Sequence, residues 1–198
     1  MNQLLFTQFD EIFSYCFDLF QKKQQDYGPS WLLYRPASLN DEIWRKAKRI
    51  RTLEENHDVA CIPEGRDIEY VGIINYCVMF LISISNLEGI PTGEEVIEDL
   101  TLLDTISQEV ILDAYHSTVK KIKELLIQKN TDYGDAWRSM SLYSMTDQII
   151  IRSYRIKSIL QHDGICTVSE GVGAQLCDII NYCIFALIKM ETTLCHVQ

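Results

Sequence analysis

Apolar residues recur at intervals of three and four along most of this chain, and nowhere do they alternate strictly with polar ones. That is the period of helices packed on one face, not of strands. Phe6, Phe9, Ile12, Phe13, Cys16, Phe17 and Phe20 predict a helix from about Phe6 to Gln25. Ile122, Leu125 and Leu126 do the same for Val110 to Asn130. Gly28 and Gly134 follow these segments where a helix-ending glycine belongs, and Pro29 reinforces the first stop. A second helix is expected from Asn40 to Glu54 and again from Thr146 to Leu160, with Asn40 and Thr146 as N-caps. Aspartates directly after those caps suit the positive end of the helix dipole. A third helix is expected to open near Pro63-Glu64 and near Ser169-Glu170, and to run to about Ser85 and Thr193.

The third helices carry no polar face along their middles, so burial is expected. Val71 to Leu87 is short for a membrane span and holds Asn75, Tyr76, Ser83, Ser85 and Asn86. Its counterpart, Leu176 to Leu187, is shorter and carries Asp178 and Asn181. No membrane association is expected. Residues 87–107 contain Gly89, Pro91 and Gly93 among acidic side chains and read as a linker, with a short helix from Thr92 to Leu103.

The pattern is a repeat. Asp26-Tyr27-Gly28 and Trp31 return, without a gap, as Asp132-Tyr133-Gly134 and Trp137. Ile73-Ile74-Asn75-Tyr76-Cys77 returns at the same offset as Ile179-Ile180-Asn181-Tyr182-Cys183. Asp41, Ile43, Arg49, Ile50, Glu64 and Gly65 match Asp147, Ile149, Arg155, Ile156, Glu170 and Gly171. The sequence therefore predicts an all-α fold of two tandem three-helix repeats, residues 1–86 and 108–198, sharing one core about a pseudo-twofold. This is the architecture of a homodimer fused into one chain, and it is compatible with a further homo-oligomer.

With 198 residues, 47% of them apolar, the chain can bury a sizeable core. A net charge of −10 argues against non-specific nucleic-acid binding. Seven cysteines show no CxxC or Cys/His zinc spacing. Their odd number and the lack of a basic, apolar leader fit a cytoplasmic protein. No P-loop, dinucleotide fingerprint or Ser/His/Asp pattern is present.

Chemistry is concentrated in a few repeated or nearly repeated polar residues. On one helical stripe, Glu170, Asp178 and Asn181 fall within about 80° of arc. One reading is a carboxylate-lined pocket for Mg²⁺ and a phosphate-bearing ligand. The other is a dipole residue, Glu170, and an acid, Asp178, satisfied by an arginine. Eight residues of helix put Glu170 and Asp178 about 12 Å apart along the axis, too far to share an ion. Copy one has Gly72 in place of Asp178, and Glu69 where copy two has Gln175. The copies either complement each other across one site, or one has decayed. Asn75 and Asn181 sit in the most apolar stretches, where an asparagine fixes register or meets a ligand. Lys46 and Arg49, with Arg152 and Arg155, form a basic face suited either to phosphate or to nearby carboxylates. Lys23 and Lys129 precede the Asp-Tyr-Gly turns by three residues, so Lys23, Asp26, Tyr27, Lys129, Asp132 and Tyr133 are candidate ligand contacts or salt-bridge partners.

The spacing Lys-x-x-Asp-Tyr-Gly-x-x-Trp, then Arg/Lys-x-x-Arg, then Glu-(x)7-Asp-x-x-Asn-Tyr resembles the nucleotide modification associated domain 1 family. Copy two carries the whole pattern, and copy one lacks the aspartate at Gly72. That family looks distantly similar to the MazG-type all-α nucleoside triphosphate pyrophosphohydrolases, which use helical carboxylates and Mg²⁺. The resemblance implies a nucleotide-binding protein, with a Mg²⁺-dependent pyrophosphohydrolase as its enzymatic form. Asp178 and Glu69 would then hold the metal, with Glu170 and Glu64 as further catalytic acids. Lys23, Lys46, Arg49, Lys129, Arg152 and Arg155 would neutralise phosphates. The alternative is a non-catalytic helical scaffold in which these charges pair internally.

Overall fold

In a computed structural model, the described residues are 3–59, 61, 64–85, 87–91, 99–162, 164–166 and 170–191. Among them the regular structure is helical throughout. Copy one consists of α1 (Gln3–Tyr27), α2 (Pro36–Glu55) and α3 (Arg66–Ser83). A short helix, α4 (Thr101–Thr105), lies in the connector. Copy two consists of α5 (Gln108–Tyr133), α6 (Leu142–Gln161) and α7 (Val172–Lys189). A 3₁₀ turn follows the first helix of each copy, at Ser30–Leu33 and Ala136–Ser139. Gly28 and Gly134 take φ of +60° and +55°, a left-handed turn that ends both helices where the sequence predicts.

The four helices α2, α3, α6 and α7 form the centre. Within each copy the second and third helices pack together, and across the copies α2 meets α6 and α3 meets α7. One continuous core results. Tyr70, Phe80, Ile74, Ile180 and Cys183 are all sealed in it, and each fully buried large apolar side chain contributes about 1.5–3 kcal/mol. α7 is long and apolar enough to cross a membrane, but its place in this core accounts for that composition: 61% of it is buried inside the protein.

The first helices break the symmetry. Both α1 and α5 lie against α3, and α1 touches α7 only slightly. Copy one's central helix is thus doubly covered, and the equivalent flank of α7 is left for a cavity.

Several boundaries differ from expectation. Asn40 and Thr146 are not caps. α2 begins four residues earlier at Pro36, whose ring suits the first helical position. α6 is capped by Ser141, which accepts from the backbone N of Ser144 at 3.1 Å. Asn40 and Thr146 instead lie buried where the copies meet. Asn40 Nδ2 donates to the Ser153 carbonyl at 3.0 Å, and Ser153 Oγ donates back to Asn40 Oδ1 at 3.0 Å. Thr146 Oγ1 donates to Glu54 Oε1 at 2.8 Å, so Tyr70, 3.0 Å away, must be the donor to Thr146. These bonds satisfy groups sealed in the core, and they fix the register of the two copies.

The third helices also start later, at Arg66 and Val172, each preceded by a matched extended glycine, Gly65 and Gly171. Glu64 and Glu170 therefore precede the helices and do not stand on their stripes. Both helices end earlier than expected, at Ser83 and Lys189. The expected starts at Pro63 and Ser169, the end at Thr193, and the first part of the helix from Thr92 to Leu103 fall outside the described residues.

A cavity in the second copy

The cavity, about 580 Å³, opens between the end of α5, the turn after it and the exposed flank of α7. α5 supplies Leu126, Lys129, Asn130 and Tyr133. The turn supplies Trp137 and Met140, α6 supplies Arg152, and the loop before α7 supplies Glu170. From α7 come Asp178, Asn181, Tyr182 and Phe185. The Asp-Tyr-Gly-x-x-Trp motif is thus a device for folding the chain back over the third helix. Gly134 reverses the direction and Trp137 plugs in behind it, stacked on Phe185 with centroids 4.4 Å apart and planes 7° from parallel.

Charge in the cavity is paired. Lys129 Nζ donates to Asp178 Oδ1 at 2.5 Å, and Arg152 donates to Asp178 Oδ2 through Nε and an Nη, both at 3.1 Å. Arg152 also donates to Gln148 Oε1, and its guanidinium lies over the Tyr182 ring at 4.8 Å. Four buried side-chain polar atoms among the described residues have no partner, and two of them belong to the cavity lining, Trp137 Nε1 and Asn181 Oδ1; the others, Gln8 Oε1 and Gln175 Oε1, lie outside it.

Copy one has closed the same place, one residue at a time. Phe20 stands for Leu126 and Tyr34 for Met140, and Tyr34 rests edge-on against Tyr76. Gln24 stands for Asn130. With its amide turned so that Oε1 accepts, it takes the Trp31 Nε1 proton at 2.8 Å. The shorter Asn130 leaves Trp137 without that bond. Asn75 Oδ1 accepts from the Tyr115 hydroxyl at 2.7 Å, and Asn75 Nδ2 donates to the Cys16 carbonyl at 3.0 Å. Its twin Asn181 keeps a bare acceptor. At Gly72, a Cβ would come within 2.7 Å of Lys46 Cε, so the lysine stem fills the space that Asp178 uses in copy two.

Glu69 is therefore the carboxylate of copy one, one turn earlier than Asp178. It accepts from Lys46 at 3.0 Å and from Arg49, with its side chain only 6% exposed. The expectation that Glu69 or Glu64 joins Asp178 across the copies is not met. Neither lines the cavity: Glu69 is sealed by its own basic helix, and the Glu64 carbonyl accepts from Arg49. Glu170 and Asp178, by contrast, line the same cavity, because the helix that was expected to separate them starts only at Val172.

Lys23, Asp26 and Tyr27 are exposed in copy one, as are Asp132 and Arg155 in copy two. Among the described residues, Asp26, Asp132 and Arg155 make no ion pair, and nothing in the structure explains why the two aspartates recur. Tyr133 is 75% exposed and borders the cavity. The sequence did not single out Trp137 and Phe185 as site residues, or Asn130. The recurrence of the tryptophan was a signal for the first. The exchange of Gln24 for Asn130 carried none.

The residues do not fit a resident Mg²⁺. That ion wants oxygen ligands in near-octahedral array. Asp178 is already held by two cations, and no group of three or more ligating His, Cys, Asp or Glu side chains exists among the described residues. The described cysteines, Cys16, Cys61, Cys77, Cys166, Cys177 and Cys183, are free thiols. Burial raises those of Cys16, Cys77 and Cys183 well above the usual range.

A family model described as nucleotide modification associated domain 1 matches the chain twice, over residues 23–84 and 129–190. Both matches run from the lysine before the Asp-Tyr-Gly turn to the end of the third helix. No curated protein and no solved structure matches it.

Proposed function

The chain belongs, in two tandem copies, to the nucleotide modification associated domain 1 family, and from that membership we propose that copy two binds a nucleotide or nucleoside in the cavity beside Trp137, while copy one is a closed scaffold. Membership of that family supports a role in nucleotide metabolism. One observation carries the finer reading. Repeat-equivalent polar atoms are satisfied in copy one and left without partners in copy two. An orphaned buried polar group costs roughly 1–3 kcal/mol. A cavity that keeps two of them beside aromatic walls is built for a guest that supplies the missing bonds.

The scaffold half is equally specific. Glu69, Lys46 and Arg49 pair internally, as a non-catalytic reading of copy one requires. The basic residues of the second helices thus act in copy one as counter-ions and not as phosphate contacts.

Thermal melts of the full chain with a panel of nucleobases, nucleosides and nucleotides test the proposal. A ligand at a hundred times its Kd adds about 2.7 kcal/mol to stability, so binding appears as a clear upward shift. That shift is expected to disappear in Asn181→Ala. No shift from any compound at millimolar concentration, or a shift that survives Asn181→Ala and Trp137→Phe alike, refutes it. Pyrophosphate release from nucleoside triphosphates with Mg²⁺, measured in parallel, would replace binding by turnover.

A further inference from the structure

Resting on that reading, we infer that the cavity selects the base or nucleoside part of its ligand and leaves a phosphate chain outside, so that the preferred ligand carries at most one phosphate. The basic side chains of the lining are Lys129 and Arg152, and both are spent on Asp178. Glu170 adds a second carboxylate. The four formal charges cancel. A phosphate chain entering here finds no uncommitted cation among the described lining residues, in a protein whose net charge is −10.

Sites that hold polyphosphates use free Arg or Lys, or a bare helix N-terminus. Here the N-terminal end of α7, at Val172, has Glu170 two residues before it. That carboxylate stands where a phosphate would otherwise be drawn.

What the cavity lacks is neutral. Trp137 Nε1 needs an acceptor and Asn181 Oδ1 needs a donor. The edge of a nucleobase presents both. Tyr182 and Phe185, set edge to face, give the cavity an aromatic wall for a base, while Trp137 presents its edge because its ring is covered by Phe185 and by the Arg138 guanidinium. A volume of about 580 Å³ is of the size that small-ligand pockets have. In this arrangement Asp178 is a counter-ion that cancels the two cations. It does not serve as a metal ligand.

The test is calorimetric titration of the full chain, without added metal, using one base as nucleobase, nucleoside, mono-, di- and triphosphate at two salt concentrations. Affinity is expected to be set by the nucleoside, to stay level or fall beyond the monophosphate, and to change little with salt. Asp178→Asn frees Lys129 and Arg152. It is expected to raise the ratio of triphosphate to nucleoside affinity by about tenfold, as uncancelled charge near a protein surface does. Affinity that climbs with each added phosphate and falls with salt overturns this inference and leaves the binding proposal standing. So does a lower triphosphate ratio in Asp178→Asn. If that variant does not fold, the wild-type series and its salt dependence decide alone. No binding by any member of the series removes the binding proposal, and this inference with it.

Discussion

Alanine at Asn75 and alanine at Asn181 are the same substitution at repeat-equivalent positions, and the structure predicts different outcomes. Asn75 is 7% exposed and Asn181 5%, so burial does not distinguish them. Their partners do. Removing the Asn75 amide orphans the Tyr115 hydroxyl, in a residue that is 1% exposed, and takes one bond from the Cys16 carbonyl, which keeps its helical bond inside α1. At roughly 1–3 kcal/mol for the orphaned hydroxyl and about 1 kcal/mol for the other lost bond, Asn75→Ala should lose about 2–4 kcal/mol. Asn181 Oδ1 has no partner to orphan, and the space it vacates joins an existing cavity. Asn181→Ala should cost about 1 kcal/mol, as a substitution outside a bonded network does. A difference near 2 kcal/mol separates the melting points by roughly 4–8 °C in a chain of this size. Urea unfolding followed by circular dichroism measures it, with an unchanged m-value as the control that both variants unfold from the same compact state. A double-mutant cycle adds a check. Tyr115→Phe should cost less in the Asn75→Ala background than in wild type, because its hydroxyl has already lost its acceptor. Equal losses at the two positions, or the larger loss at Asn181, would refute the division into a sealed copy and an open one.

Glu69→Gln should destabilise by about 1–3 kcal/mol, less than for a fully buried pair because Lys46 and Arg49 remain 17% and 23% exposed. Ligand affinity should stay unchanged, and a lost ligand shift in the thermal melt would put Glu69 back in the site. Burial raises the Glu54 carboxyl above its ordinary 4.5, more than its bonds from Thr146 and Arg66 lower it. The folded state therefore holds this proton more tightly than the unfolded one. The group's contribution is fully present below 4.5 and is lost as pH rises through its raised folded value. Urea titrations across that window should show wild type losing stability relative to Glu54→Gln as pH rises, and a difference that stays flat or grows would be contrary evidence. Thiol labelling of the native chain should reach exposed Cys61 first, and Cys16, Cys77 and Cys183 only on unfolding. Mass spectrometry of the modified peptides reads the order.

The period of the apolar residues was enough to determine an all-helical chain, because a 3,4 stripe can be buried in no other way. The offset between the copies was enough for the two three-helix units and their shared core. The residues at Gly28 and Gly134 placed the turns, since only glycine takes that left-handed backbone without cost. Asn40 and Thr146 show the limit. A polar residue at the edge of an apolar stripe reads as a cap, and its partner, Ser153 or Glu54, lies too far along the chain for local chemistry to reveal it. The site was half legible for the same reason. Asp178, Asn181, Lys129 and Arg152 stood out as charge and amide in apolar surroundings, and they do converge. Sequence could not tell whether their charges were free or spent, or that Glu69 is sealed with Lys46 and Arg49. Both depend on which side chains meet, to within an ångström, across helices separated by dozens of residues. The choice of the open copy was tertiary too. It was decided by α5 crossing to α3 and by one methylene between Gln24 and Asn130, because a cavity is defined by what fails to fill it, and only the assembled helices fix that.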